Sequence, residues 1–303
     1  MTVTATAPAK INLTFQVLCR RSDGYHDVDT VMQAVDLFET VTVEVLPVCD
    51  GEIDIEMRGS YCANLVEPQD NIVYKAAKLF FQHNQICAAN NIKIIVHKRI
   101  PVGAGLAGGS ADAAACLTAL NYAFGTVMTT DELCRLGGVL GCDVPFCICG
   151  GTMHGTGDGT ILVPSRCLCD MQGVHIVLVK PSESISTLLA YNEIDRHDIG
   201  VDYDRSADMM NAIKTGNVSE VGRALFNHFE AVLKPKFTEK IEGVFTEFGA
   251  LGSSMTGSGS AVFGIYDDKA AAEKALEVFK NLGYDTHLVA PYNSGAKILN
   301  PIV

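Results

Sequence analysis

Four glycines crowd into Pro101-Val102-Gly103-Ala104-Gly105-Leu106-Ala107-Gly108-Gly109-Ser110, and the stretch from Ala111 to Phe124 that follows is alanine-rich and free of helix breakers. The run from 92 to 100 before it is rich in Ile and Val and reads as a buried strand. A strand, a glycine-rich turn and a helix in that order make an anion site. The first N–H groups of a helix have no internal partner, its dipole is positive at that end, and glycines let the backbone approach phosphate closely. Ser110 is suited to capping the helix, to binding phosphate or to ligating Mg²⁺.

Gly103, Gly105 and Gly108 satisfy G-x-G-x-x-G, but a dinucleotide-binding unit also needs a second strand ending in an acid about 20 residues on. Here Thr129 and Glu132 form a capping box that starts another helix, to about Leu140. A Walker loop needs Lys where Gly109 stands, and a protein kinase needs a strand Lys after its loop and an H-R-D segment. The chain has none of these, which leaves a phosphate loop of another type.

Three further sets could act with it. Lys10 and Asn12 alternate with Ile11 and Leu13, so they share the polar face of a strand from 10 to 18. Asp143 lies in Leu140-Gly-Cys-Asp143-Val-Pro145-Phe146, either as a turn cap or as a partly buried carboxylate with a task. A second glycine cluster, Ser253-Ser-Met-Thr256-Gly257-Ser258-Gly259-Ser260, is a tight turn that could close over phosphates.

The elements that must position these sets interleave. Strands are expected at 41–46, 53–57, 175–180, 260–266 and 286–290. Helices are expected from Asp70 or Asn71 to His83, over most of 206–248 with turns at Gly216-Asn217 and Lys234-Pro235, and over 269–280. Gly141 to Gly159 reads as loop or short strand. A composition break near 155–170 divides the chain into units 1–160 and 161–303 of an α+β protein.

The chain has 303 residues, 35 acids and 23 bases, for a net charge of −12. That balance argues against nucleic acid as a partner but not against small anions met by local donors. Lys10, Arg20, Arg21, Lys98 and Arg99 are the cations expected to gather there. The 11 cysteines include no C-x-x-C pair. They read as reduced, buried small hydrophobes, with metal binding by Cys142, Cys147, Cys149, Cys167 and Cys169 set aside for want of zinc spacing. With no signal segment and no apolar run of membrane-spanning length, a cytoplasmic protein without a membrane partner is expected.

Taken together, Pro8-Ala-Lys10-Ile-Asn12-Leu, Pro101-x-Gly103-x-Gly105-Leu106-x-Gly108-Gly109-Ser110 and Thr256-Gly257-Ser258-Gly259 resemble the ordered motifs of the GHMP kinase superfamily. Arg21-Ser-Asp23-Gly24-Tyr25-His26 is similar to one branch, which phosphorylates a cytidine diphosphate sugar alcohol on the non-mevalonate route to isoprenoid precursors. Ala104 and Ala107 stand where that pattern often has glycine. A mevalonate or homoserine kinase shares the loop and differs in the acceptor. A non-catalytic nucleotide-binding protein is the reading from another class.

The resemblance implies an N-terminal α/β domain, ribosomal S5-like, and a C-terminal ferredoxin-like domain with the site between them. It implies ATP and Mg²⁺ as cofactors and leaves the oligomeric state open. Asp143 would be the general base, with Lys10 beside it to hold the carboxylate ionised. ATP would lie along Pro101 to Ala111 with Asn71 and Lys98 near the adenine. Asn12, Tyr25, His26, Thr187, Tyr191, Gly257 and Ser258 would meet the second substrate, Tyr25 and Tyr191 supplying faces for its base and His26 a polar edge. No metal ligand is named. Asp112 reads as a helix-end charge.

Overall fold

The computed structural model describes residues 1–46, 51–62, 68–86, 91–197 and 200–302. The chain runs through β1 (Thr2–Arg20), β2 (His26–Leu46), β3 (Ile53–Gly59), α1 (Ile72–His83), β4 (Asn91–Lys98), α2 (Gly108–Ala123), α3 (Thr130–Gly138), α4 (Val144–Cys149), β5 (Thr152–Thr156) and β6 (Ile161–Pro164). It continues through β7 (His175–Lys180), α5 (Thr187–Ile194), α6 (Arg205–Thr215), α7 (Val218–Arg223), β8 (Phe226–Asn227), α8 (His228–Leu233), α9 (Lys236–Glu247), β9 (Gly252–Met255), β10 (Val262–Tyr266), α10 (Lys269–Asn281), β11 (Asp285–Val289) and β12 (Lys297–Ile302).

Two sheets result. The larger has the path β12-β1-β2-β4-β3, with the β5–β6 hairpin on β2 and β8 on β1. The smaller is fully antiparallel in the order β11-β7-β10-β9. Renumbered along the chain that order is 4-1-3-2, the ferredoxin-like arrangement expected for the second half. The expected boundary at 160 falls within the β5–β6 hairpin, and β12 returns to pair with β1.

Alternation along β1 puts Val3, Ala5, Ala7, Ala9, Ile11 and Leu13 into a core shared with α1 and α2. The opposite face is polar, yet Lys10, Asn12, Thr14 and Gln16 are buried too. The strand therefore lies between layers, and its polar face looks into the protein. A register shift between Asn12 and Thr14 against β2 re-aims the chain at this point. A second core, with Val177, Val179, Phe245, Tyr266 and Phe279, lies in the smaller sheet and its helices.

Local signals are met where they were strong. Asn71 caps α1, the Thr129/Glu132 box caps α3, α6 stops at Gly216, and Pro235 precedes α9. Within 141–159 the expectation of loop or short strand needs correction, because Val144–Cys149 is helical. Pro145 is compatible with a first helical turn, where no N–H is required of it. The cysteines also depart from the uniform reading: Cys116 and Cys147 are buried free thiols, Cys19 is exposed, and Cys167 is joined to Cys169. Among the described residues no helix is long and apolar enough to cross a membrane.

Candidate active site

Backbone contacts and close approaches hold the phosphate loop in place. Helix α2 begins at Gly108 rather than Ala111, so Ser110 lies inside the first turn and does not cap it. Ala107 holds the cap position with φ 59° and gives no side-chain hydrogen bond. The N–H groups of that turn are thus left without a capping side chain, as an anion site requires. Gly105 has φ +76°, and a Cβ there would lie 2.1 Å from the Thr256 carbonyl oxygen, so only glycine permits this approach. The Lys10 N–H donates to the Leu106 carbonyl at 3.2 Å and the Ala261 N–H to the Ala104 carbonyl at 3.1 Å. The two glycine clusters, far apart in sequence, are one stitched surface.

Lys10 and Asn12 stand on that surface together. Lys10 Nζ donates to Asn12 Oδ1 at 2.7 Å, and the Gly257 N–H donates to the same oxygen at 2.9 Å. Asn12 Nδ2 donates to Thr30 Oγ1 at 2.8 Å, which fixes the amide orientation. Lys10 Nζ then lies 3.8 Å from Asp143 Oδ2, with the lysine side chain 4% and the aspartate 40% exposed. Asp143 occupies the cap position of α4, yet its carboxylate caps nothing. Of the two roles open for it, the structure favours the carboxylate facing the cleft.

At the other end, His26 stacks on Tyr191, with ring centroids 4.7 Å apart and planes at 22°. Tyr191 meets Phe229 edge to face at 4.9 Å, and Phe229 stacks on Phe15. Burial, reinforced by the charges of Asp143 and Cys142, pushes the Tyr191 phenol upward. Tyr25 and Tyr191, the expected pair of faces, both line the cleft, and His26 covers one face of Tyr191. Tyr25 is exposed. Thr187 Oγ1 and Ser258 Oγ are 2.8 Å apart, which joins the start of α5 to the second glycine turn.

Of the five cations expected to gather, Lys10, Arg20 and Lys98 line the cleft while Arg21 and Arg99 do not, and Lys10, Arg20, Arg21 and Lys98 are held in ion pairs. Lys98 Nζ lies 2.6 Å from Asp112 Oδ2 and 2.7 Å from Glu39 Oε1. Asp112 is therefore no helix-end charge at the surface but a buried member of an ion triad. Glu39 also accepts the Arg99 and Ile100 N–H groups at 2.8 and 3.2 Å. Arg21 pairs with Asp23 and Asp27, and Arg20 with Asp195. The loop's backbone donors, rather than an open cationic patch, face the cleft.

The cleft has a volume of about 870 Å³ and is lined by the loop from Pro101 to Ser110 together with Lys10, Asn12, Asp143 and the His26/Tyr191 end. Tyr25, Lys98, Thr187, Gly257 and Ser258 also line it, whereas Asn71 and Ala111 do not. Asn71 is instead occupied as the cap of α1. Met57, Tyr61, Cys62 and Asp195 line it unforeseen. No local pattern marks them; only the fold brings them in.

Residues 71–151 match the GHMP kinases N terminal domain and residues 209–285 the GHMP kinases C terminal domain. A 4-diphosphocytidyl-2-C-methyl-D-erythritol kinase from Alkaliphilus oremlandii is 38% identical over 292 residues, covering 96% of this chain and 97% of that one. The chain belongs to the 4-diphosphocytidyl-2-C-methyl-D-erythritol kinases of the GHMP kinase superfamily. A crystal structure of a 4-(cytidine 5'-diphospho)-2C-methyl-D-erythritol kinase matches with a TM-score of 0.75 at 29% identity, covering 96% of this chain and 99% of the other. A homoserine kinase from Cytophaga hutchinsonii matches with a TM-score of 0.76 at 20% identity over 98% and 97% of the two chains, which is a likeness of fold. GHMP kinases are ATP-dependent kinases.

Proposed function

We propose that the protein transfers the γ-phosphoryl group of ATP to a hydroxyl of 4-diphosphocytidyl-2-C-methyl-D-erythritol. The observation that carries the residue roles is the open carboxylate of Asp143, 3.8 Å from a buried lysine and on the same cleft as the uncapped start of α2. Asp143 takes the acceptor hydroxyl's proton as the oxygen bonds to the γ-phosphorus, and the bond from that phosphorus to the β–γ bridging oxygen breaks to release ADP. Lys10 offsets negative charge near the transferred group, and Asn12 holds Lys10 and the Gly257 N–H in register. The loop from Pro101 to Ser110 holds the triphosphate through backbone donors. Met57 and Tyr61, which line the same cleft as the loop, suit the adenine. His26 and Tyr191, with Tyr25 and Thr187, meet the cytidine end.

Mg²⁺ fits as a guest of the nucleotide. Among the described residues no three acids, histidines or cysteines gather around a common point, whereas Ser110 lines the cleft at the helix start. A hydroxyl, phosphate oxygens and water make an all-oxygen set that suits this ion. When bound, Mg²⁺ would neutralise phosphate charge. The ATP-holding unit is 1–160, whose sheet also takes in β6 and β12, and the remainder of 161–303 is the second unit. Cytoplasmic action follows from soluble substrates of this kind.

ADP release measured with 4-diphosphocytidyl-2-C-methyl-D-erythritol, mevalonate and homoserine in parallel tests the reading. Turnover with the cytidine substrate alone is expected. Turnover with either of the others and none with the cytidine substrate would sink it.

A further inference from the structure

His26 Nε2 lies 2.7 Å from Asp195 Oδ1, a contact that spans 169 residues. The other oxygen of Asp195, Oδ2, accepts from Arg20 Nη1 at 3.2 Å. Arg20, His26, Tyr191 and Asp195 all line the cleft. A carboxylate offers acceptors only, so the imidazole nitrogen that faces it carries the hydrogen. In the neutral ring the remaining nitrogen, Nδ1, is then an acceptor. Among the described residues it has no hydrogen-bond partner, and its ring is held in place by Tyr191.

We propose that Asp195 is a positioning residue that sets the tautomer of His26, so that the cleft selects an amino-substituted pyrimidine over an oxo-substituted one. The inference rests on the reading that the cytidine end of the substrate meets His26. The 4-amino group of cytosine is a donor and matches an acceptor at Nδ1. Uracil carries an oxygen at that position, which would set lone pair against lone pair. Leaving polar groups mismatched in a closed site is what gives hydrogen-bonding pockets their large discrimination.

Arg20 makes the test directional. It has donors only, so in Asp195→Asn the amide oxygen turns to Arg20 and the amide N–H group faces His26 Nε2. Nε2 becomes the acceptor and Nδ1 carries the hydrogen. An isosteric change at a residue that need not touch the base thus reverses the pattern offered to it.

The experiment compares kcat/KM for the cytidine diphosphate substrate and its uridine counterpart in the unsubstituted chain, Asp195→Asn and Asp195→Ala. It also records the ¹⁵N signals of His26, which report which ring nitrogen carries the hydrogen. The cytidine-to-uridine ratio is expected to fall at least about tenfold in both variants, with a gain in uridine turnover in Asp195→Asn alone. The ¹⁵N spectrum is expected to show a protonated Nε2 in the unsubstituted chain and a protonated Nδ1 in Asp195→Asn. Variants that lose both activities equally, at an unchanged ratio, would mark a structural role and overturn the proposal. So would an unsubstituted chain whose Nδ1 is protonated. No turnover of the cytidine substrate by the unsubstituted chain would overturn the substrate reading, and the proposal with it. Turnover at an unchanged ratio overturns the proposal alone.

Discussion

The Lys98 ammonium lies 2.6 Å from the Asp112 carboxylate, and both side chains are buried beneath the phosphate loop. Lys98 ends the strand before the loop and Asp112 sits in the helix after it, so the pair ties the loop's entry to its exit. Glu39 completes the tie by accepting two backbone N–H groups from the entry. Lys98→Met should therefore destabilise the fold by about 3–5 kcal/mol, because two buried carboxylates lose their cation. Urea denaturation at neutral pH measures this, and a loss under about 1 kcal/mol would contradict it.

The same triad makes stability depend on pH. Burial raises the Asp112 carboxyl from 3.8 to about 7, with Lys98 pulling the other way and Glu39 adding to the rise. The folded chain keeps a proton there that the unfolded chain has released. The stabilisation is whole below about pH 4 and is lost as pH rises through about 7. Asp112→Asn removes that proton, so its unfolding free energy should vary less between about pH 5 and pH 8 than that of the unsubstituted chain. Equal slopes for the two proteins would refute the assignment.

Much of this was legible in the chain, and what was not has a common cause. The loop from Pro101 to Ser110, the Lys10/Asn12 face and the Asn71 and Thr129 caps are carried by spacing over a few residues. The setting of Asp143 left a turn cap and a working carboxylate both open, and the family likeness pointed to the second. The neutralised state of Lys98 depends on Glu39, and the fixed state of His26 on Asp195, each from a distant element. Periodicity reports which face a residue takes, not which partner waits there. The polar face of β1 shows the same limit: alternation marks it polar, but only the second layer makes it buried.

Gly105 and Gly103 should separate contact from conformation. Both have positive φ, but a Cβ at Gly103 meets nothing within 4 Å while one at Gly105 meets the Thr256 carbonyl oxygen at 2.1 Å. Gly103→Ala carries only the left-handed strain of about 1–2 kcal/mol. Gly105→Ala must also push the two glycine turns apart. Its KM for ATP is expected to rise at least about tenfold more than that of Gly103→Ala. Equal effects in steady-state kinetics would show that the stitched surface is not what holds ATP.

Asn12 is expected to act through Lys10 and Gly257. Asn12→Ala removes the oxygen that accepts from both, and kcat should fall by about 10²-fold as the lysine loses its place. Thermal unfolding run beside the kinetics distinguishes this from a folding defect. A kcat loss that merely tracks the folded fraction would count against a positioning role.

The central claim is that Asp143 takes the acceptor's proton. Asp143→Asn keeps the side-chain shape and removes the base, and since the carboxylate caps no helix the fold should be unaffected. The most direct measurement is single-turnover phosphoryl transfer from ATP to 4-diphosphocytidyl-2-C-methyl-D-erythritol, with the ATP affinity of the same variant determined by calorimetry. A fall of at least about 10²-fold in the transfer rate with ATP affinity retained is predicted. A transfer rate within about threefold of the unsubstituted chain would contradict the account.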